Sequence, residues 1–418
     1  MEFNSIIDDT MYFERASSQL IKNISETFPV LLVTGPRQVG KTTLLDHIKE
    51  PGRSYVTLDD LDERHLAKSD PALFLQRHKP PVIIDEIQYA PELFSSIKMI
   101  VDREKKNGLF WLTGSQKFEL MKGVSETLAG RVGICELLGL SQNEIKGDVK
   151  NFKPFLPTHD FIKQVFTFEK EVKDLNQIYR DIWRGSFPKV ISNEKISRDI
   201  FYSSYIQTYI ERDVRLISQI NDLTTFQRFL KVAAARTAQL INYADMARDV
   251  DVDQKTIKAW ISILQTSGLI YLLQPYHNNL TSRLVKTPKL YFLDTGLCSY
   301  LTGWTTSESL EAGSMSGAIL ETFAVSEILK SYYYSGINPG LFFYRDKDQK
   351  EIDLIIDYDQ TLHPIEFKKT ATPTANAAKN FHVLDKLNVS IGYGIVFCFK
   401  EKPFQLSQNV TAIPFSFI

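Results

Sequence analysis

Two groups of residues in this chain have the types and spacing to do chemistry. The first is Gly35-Pro-Arg-Gln-Val-Gly-Lys-Thr-Thr43, which fits G-x-x-x-x-G-K-[ST]. A triphosphate needs several N–H donors converging on it, and a glycine-rich turn lets backbone approach that closely. Gly35, Pro36, Arg37, Gln38, Val39, Gly40, Lys41, Thr42 and Thr43 would form the cradle. Lys41 would neutralise the outer phosphates and the Thr42 hydroxyl would coordinate Mg²⁺. Opposite it, Pro81-Val-Ile-Ile-Asp-Glu-Ile-Gln88 ends an apolar run in two acids. Asp85 suits the metal's water shell and Glu86 suits a base that polarises the attacking water. The second group is Asp353, Glu366 and Lys368. Strand alternation puts Asp353 on one face of its strand and Glu366 with Lys368 on one face of the next, and a hairpin near Asp359 would bring them together. Two carboxylates and a lysine on one sheet face can hold Mg²⁺ and position a water for phosphodiester attack. The competing reading is a half-exposed sheet with solvated charges.

These residues require particular elements around them. Val30-Leu-Leu-Val-Thr34 reads as a buried strand feeding the glycine loop, and Leu44, Leu45 and Ile48 continue from Lys41 with helical spacing. Phe13 to Lys22 reads as a lead-in helix, and 54–59 as a short strand. A strand over 108–113 ends in Gly114-Ser-Gln116, beside the outer phosphate. Ser115 and Gln116 are therefore candidate phosphate sensors, or alternatively a loop-capping pair. Arg131, at the end of Ser125-Glu-Thr-Leu-Ala-Gly-Arg131, fits an arginine finger acting in cis or from a neighbouring subunit. It fits equally a solvated charge on a helix C-terminus.

Taken together, Gly35 to Thr43, Ile83-Ile-Asp-Glu-Ile-Gln88, Leu112-Thr-Gly-Ser-Gln116 and Leu128-Ala-Gly-Arg131 resemble the prokaryotic AAA-type ATPases that join such a module to a C-terminal domain of unknown function. The resemblance extends over nearly the whole chain. It implies ATP and Mg²⁺ as ligands, and hydrolysis, with the roles given above. Arg184-Gly-Ser-Phe-Pro188 is similar to the turn by which related ATPases place a helical subdomain over the adenine, which would put Pro188 near the base and make Arg184 a phosphate contact. A plain Gly/Pro helix stop accounts for the same residues.

Further along, 201–216 and 225–240 read as helices. The segment 242–249, a turn, 253–264 N-capped by Asp253, and strands over 269–273 and 290–292 follow winged-helix order. Gln254, Lys255 and Lys258, with Arg283 and Lys286 on the wing, would face a DNA backbone; packing against the ATPase or a partner protein is the rival use. In the last part, an amphipathic helix over 316–330, strands over 341–345, 351–357 and 362–369, a helix over 375–387 and a strand over 390–399 give an αβββαβ order. With Glu321 on the helix, Asp353 on a strand and Glu366-Phe-Lys368 on the next, it resembles the PD-(D/E)xK nucleases. That resemblance implies a metal site at Glu321, Asp353 and Glu366 with Lys368.

The expected fold class is α/β: a P-loop NTPase parallel sheet with a helical lid, then a winged helix, then a restriction-endonuclease-like domain. The expected boundaries are 1–150, 151–218, 219–293 and 294–418. With 418 residues, 43% hydrophobic and 24% charged, the composition is that of a globular protein with room for several cores. A formal charge of −1 gives no global attraction to nucleic acid, so any DNA contact must be local. Cys135, Cys298 and Cys398 are odd in number and sit in apolar surroundings, as reduced core residues do. No secretory signal and no run of about 20 apolar residues is evident, so a cytoplasmic protein without a membrane partner is expected. The functional expectation is an ATPase whose nucleotide cycle controls a module that binds and cleaves DNA. The alternative is a nucleotide-dependent protein-interaction switch with an inactive nuclease-like domain. AAA modules commonly form rings, which makes a homo-oligomer a candidate assembly.

Overall fold

The computed structural model describes residues 11–115, 120, 123–124, 126–150, 152–167, 171–193, 195–210, 222–277 and 287–418. Gln116, Arg283 and Lys286 lie outside the described residues, as does the 211–216 part of the helix expected over 201–216.

The first third forms a five-stranded, wholly parallel sheet in the order β2-β3-β4-β1-β5. Its strands are β1 (Val30–Thr34), β2 (Ser54–Thr57), β3 (Val82–Asp85), β4 (Phe110–Gly114) and β5 (Val132–Glu136). β1, β3 and β4 are buried along their whole length, which is why they read as continuous apolar runs rather than alternating ones. Helices α1 (Ser18–Thr27), α2 (Lys41–Ile48), α3 (Leu61–Ser69), α4 (Pro71–Arg77) and α5 (Leu93–Glu104) pack beside them. β4 lies between β1 and β3, so the tip of β4 sits between the glycine loop and the acids.

A short α6 (Gln142–Ile145) and then α7 (His159–Thr167), α8 (Leu175–Arg184), α9 (Pro188–Ser192) and α10 (Arg198–Tyr205) make a helical region. Gly185, at φ 87°, ends α8. Pro188 does not stop a helix but opens α9 at its first position, where a missing N–H costs nothing. After α10 the backbone widens into a π-helical turn over Ile206–Ile210.

Next come α11 (Leu223–Ala234), β6 (Gln239–Leu240), α12 (Tyr243–Val250), α13 (Gln254–Thr266), β7 (Ile270–Pro275) and β8 (Lys289–Phe292). The helix expected over 225–240 stops at Ala234 because Gln239 and Leu240 pair with β8. Asp253 caps α13, accepting from the Thr256 N–H at 2.8 Å.

The rest of the chain is α14 (Thr295–Leu301), α15 (Ser307–Ala312), α16 (Ser316–Tyr334), β9 (Leu341–Arg345), β10 (Glu351–Tyr358), β11 (Thr361–Phe367), β12 (Ser390–Ile391), β13 (Gly394–Cys398), β14 (Phe404–Ser407) and β15 (Val410–Pro414). β10 and β11 join at Asp359-Gln360, both at positive φ, a two-residue hairpin turn near the expected Asp359. β7 pairs in parallel with β9, so β6 to β15 form one continuous mixed sheet, and the boundary expected at 293 falls inside it.

Two further expectations change. The helix expected over 375–387 is a pair of 3₁₀ segments, Ala375–Ala378 and Phe381–Leu387, because the Asn380 side chain is tied to the Glu351 carbonyl of β10 at 2.8 Å. The helix expected to be amphipathic, α16, is buried on nearly every face. Its polar residues are satisfied internally: Thr322 on Thr237 at 2.8 Å, Ser326 on the Leu293 carbonyl at 2.9 Å, and Lys330 on Glu327 at 2.7 Å and the Leu140 carbonyl at 2.9 Å.

Candidate functional site

The glycine loop leaves the tip of β1 and enters α2 directly. Gly35 (φ 144°) lies so close to the Leu137 backbone that a Cβ would collide with its carbonyl oxygen, and Gly40 takes φ 88° as the N-cap of α2. Lys41 is buried, its Nζ donating to the Gly35 carbonyl at 3.0 Å and the Pro36 carbonyl at 2.8 Å. Pro36 and Val39 are buried, Arg37 and Gln38 half-buried, and Thr43 exposed. Pro188 is brought to this loop: its Cγ lies 3.9 Å from where a Gly40 Cβ would stand. Arg184 is directed instead to the Val190 and Ile191 carbonyls, at 3.1 and 3.2 Å.

Asp85, buried at the tip of β3, collects hydroxyl groups from three other elements. Thr42 of α2 donates to its two oxygens at 3.1 and 3.2 Å, Tyr55 of β2 donates to Oδ2 at 3.0 Å, and Thr113 of β4 donates to Oδ1. Burial and then the Asp85 charge raise the Tyr55 phenol well above its ordinary range, which keeps it a donor. Glu86 follows at φ 55°, ψ 44°, a left-handed conformation uncommon for a side-chain-bearing residue, and its carboxylate accepts from the Gln88 amide. The Ser115 hydroxyl is buried and has no hydrogen-bond partner among the described residues.

Arg131 is not brought to this site within the chain. It precedes β5 at the opposite end of the sheet, its carbonyl accepting from the Val30 N–H at 3.2 Å. The four residue steps of β1, about 3.3 Å each, separate that level from the glycine loop. Its guanidinium pairs with Asp102 at 2.6 Å, so the cis finger expected for Arg131 is not supported by its position. A residue missed by sequence reading is Arg15. Fully buried, it donates to the Val39 carbonyl of the loop at 2.7 Å, to Leu138 at 2.9 Å, to Glu144 at 2.8 Å and to the Tyr334 hydroxyl at the end of α16 at 3.3 Å. Nothing in its local sequence signals this, because all four partners are distant along the chain.

The C-terminal carboxylates do converge, but with extra company. The Phe367 N–H donates to Asp353 at 3.0 Å, and Lys368 pairs with Glu366 and lies 3.8 Å from Asp353. Glu321 of α16 accepts from Lys289 at 3.0 Å and from Tyr291 at 2.6 Å, and Lys289 also pairs with Glu351 at 2.6 Å. Burial and then Asp353 push Glu366 up to about 9. Burial pushes Glu321 to about 7 against the pull of Lys289. Burial would lower Lys289, but Glu321, Asp353 and Glu351 outweigh it and hold the ammonium charged. Among the described residues, no group of three or more His, Cys, Asp or Glu side chains is arranged to hold a metal ion. The metal site expected at Glu321, Asp353 and Glu366 is thus present as residues, but two lysine ammonium groups stand among its carboxylates. Lys289 was not foreseen, since a lysine heading an apolar strand carries no chemical motif.

On α13, Gln254, Lys255 and Lys258 are exposed as expected. Asp245, Asp249, Asp251 and Asp253 share α12, α13 and their turn with Arg248, Lys255 and Lys258, so no positive field develops there. No described helix is long and apolar enough to cross a membrane.

Comparison with known proteins identifies the N-terminal part of the chain as an AAA domain. Residues 27–146 match the AAA domain family. Residues 175–308 and 316–418 match two domains of unknown function, DUF8612 and DUF4143. The uncharacterized protein Rv2008c of Mycobacterium tuberculosis is 30% identical over 393 residues, covering 92% of this chain and 80% of that protein, and Mb2031c of Mycobacterium bovis matches equally. The chain belongs to this family of AAA-domain P-loop ATPases. Among solved structures, the Walker-type ATPase PABY2304 of Pyrococcus abyssi aligns with a TM-score of 0.45 at 13% identity, covering 69% of this ATPase and 96% of that chain. The Thermotoga maritima RuvB Holliday junction branch migration motor aligns with a TM-score of 0.29 at 15% identity, over 61% and 88%.

Proposed function

We propose that this ATPase hydrolyses ATP with Mg²⁺ at the tips of β1, β3 and β4, and that its nucleotide state sets the posture of the C-terminal half. The observation that carries the reading is the Thr42 hydroxyl within 3.2 Å of both Asp85 oxygens, one neutral ligand and one anionic ligand side by side at the mouth of a helix. Thr42 and Asp85 would hold Mg²⁺, whose chemistry is to offset phosphate charge. Lys41 would exchange its carbonyl partners for phosphate oxygens, Glu86 would take the proton of the attacking water, and Ser115 would turn its unpartnered hydroxyl to the outer phosphate. For Arg131 two uses are left, a trans contact across a homo-oligomer and an exposed charge paired with Asp102.

The transmission reading is supported by Arg15, which touches the loop carbonyl of Val39 and the last residue of α16. Glu321 lies 13 residues earlier on that helix, roughly 20 Å away along a rigid rod. Gly268, at the C-terminal end of α13, packs against Pro36, giving the loop a second neighbour that would feel it move. For the C-terminal module we favour a nucleotide-dependent interaction switch over a DNA nuclease, because Lys289, a cation outside the expected constellation, already occupies Glu321, and no described group of acids is arranged to hold a metal ion. The convergence of Glu321, Asp353, Glu366 and Lys368 is the observation on the nuclease side.

One experiment tests both parts. ATP turnover is measured with Mg²⁺ and with EDTA for the wild type and Lys41→Ala, and the same proteins with Asp353→Ala are incubated with linear and branched DNA. Mg²⁺-dependent turnover lost in Lys41→Ala, with intact DNA throughout, is expected. Full turnover in Lys41→Ala would overturn the ATPase reading, and cleavage abolished by Asp353→Ala would restore the nuclease.

A further inference from the structure

Gln88 has no role in the chemistry described so far, yet its amide lies between two parts of the phosphate site. Its Nε2 donates to the Glu86 carboxylate. Its Oε1 is turned the other way, over the Cα of Gly114 at the tip of β4, so that a Cβ on Gly114 would collide with it. That oxygen is buried without a hydrogen-bond partner among the described residues, and so is the hydroxyl of Ser115, the residue after Gly114. A buried amide with one end bonded and the other unmatched is costly in a resting protein, and such groups are tolerated where something else arrives to complete them.

The backbone holds this arrangement firmly. Glu86 sits in the left-handed region and leads straight into the 3₁₀ turn Ile87–Tyr89, closed by the Tyr89 N–H on the Glu86 carbonyl at 3.0 Å. Ile87 is fully buried, and the Tyr89 ring lies under the Arg64 guanidinium at 4.1 Å. The Gln88 amide reaches back across this turn to the Glu86 carboxylate, which has it as a fixed guide.

We propose that Gln88 is a positioning residue for hydrolysis: its amide aims the Glu86 carboxylate at the reacting water and links that aim to the tip of β4 at Gly114 and Ser115. The inference rests on the ATPase reading above. A base displaced by about 1 Å loses roughly two orders of magnitude in rate, while ground-state nucleotide binding, which depends on the loop, Lys41 and Thr42, is untouched.

The test uses the full chain and two readouts, steady-state ATP turnover and the Kd of a fluorescent methylanthraniloyl ATP. Gln88→Met keeps the length of the side chain and removes the donor. It is expected to lower kcat about 10- to 100-fold with the Kd within about twofold. In a Glu86→Gln background the same change is expected to cost nothing further, because the group it guides is gone. Gly114→Ala, whose Cβ displaces both the Gln88 amide and the Leu120 side chain at the β4 tip, is expected to reproduce the kcat loss, with Leu120→Ala as the control that keeps wild-type kcat, and keeps the idea testable should Gln88→Met misfold. Wild-type kcat in both Gln88→Met and Gly114→Ala overturns the assignment, as does an equal further loss in the Glu86→Gln background. Turnover that is absent in the wild type, or insensitive to Lys41→Ala, overturns the ATPase reading itself and this inference with it.

Discussion

Asp85 at the tip of β3 and Glu366 on β11 are both buried acids on sheets, but the partners in their two regions differ in kind. Asp85 is surrounded by the hydroxyls of Thr42, Tyr55 and Thr113. Glu321 and Glu351 face the ammonium group of Lys289, and Glu366, pushed up to about 9 by burial, lies against Lys368. Hydroxyls stabilise a carboxylate and leave its charge standing, so a cation is still attracted and a hydroxyl can itself become a ligand. An ammonium cancels the charge and fills the space a cation would take. The same residue type thus makes a metal-ready site in one half of the molecule and an internal ion-pair network in the other.

The contrast would break if substitutions in the two regions had the same kind of effect. The largest expected change is kinetic and confined to the first: Lys41→Ala should lower ATP turnover about 10³-fold and Glu86→Gln about 10²-fold or more, both with little change in melting temperature. A large loss of stability in Glu86→Gln would blur the distinction. In the second region the expected effect is on stability. Lys289→Met leaves Glu321 without its cation, whereas Glu351 keeps Arg345 at 3.3 Å, and should cost about 3 kcal/mol in chemical denaturation, with part recovered in Lys289→Met/Glu321→Gln. If Lys289→Met instead bound Mn²⁺ or cleaved DNA without unfolding, the lysine would be shown to mask a working metal site.

The last effect concerns pH. Glu366 is held at about 9 against an ordinary 4.5, first by burial and then by Asp353. Between those values the folded protein keeps a proton that the unfolded chain has released, so stability should fall as pH rises from about 4.5 to about 9. Lys368 is itself raised from 10.5, beyond that window, and does not reverse the sign. Glu366→Gln cannot titrate and should flatten this slope in melting curves taken across the range. An unchanged slope would show that Glu366 is ionised in the folded state.

How much could be read in advance follows the same division. The glycine loop was legible because its donors are consecutive residues, and β1 and β3 because complete burial leaves an uninterrupted apolar run. The polar residues of α16 read as a solvated face. Thr322, Ser326 and Lys330 are in fact buried on partners as distant as Thr237, Leu293 and Leu140, which no local pattern reveals. Arg131 had the right neighbours in sequence for a phosphate contact and the wrong end of the sheet in space.

What the sequence alone determined is the phosphate cradle and the two acids after β3, since both depend on side chains and amides a few residues apart. Only the tertiary structure decided that Asp85 is met by hydroxyls from three separate elements, that Arg15 ties the loop to α16, and that Lys289 stands among the C-terminal acids. Charge and hydrogen bonding act through space over a few ångströms, and the partners that fix the chemistry of a carboxylate are brought there by the fold from anywhere along the chain.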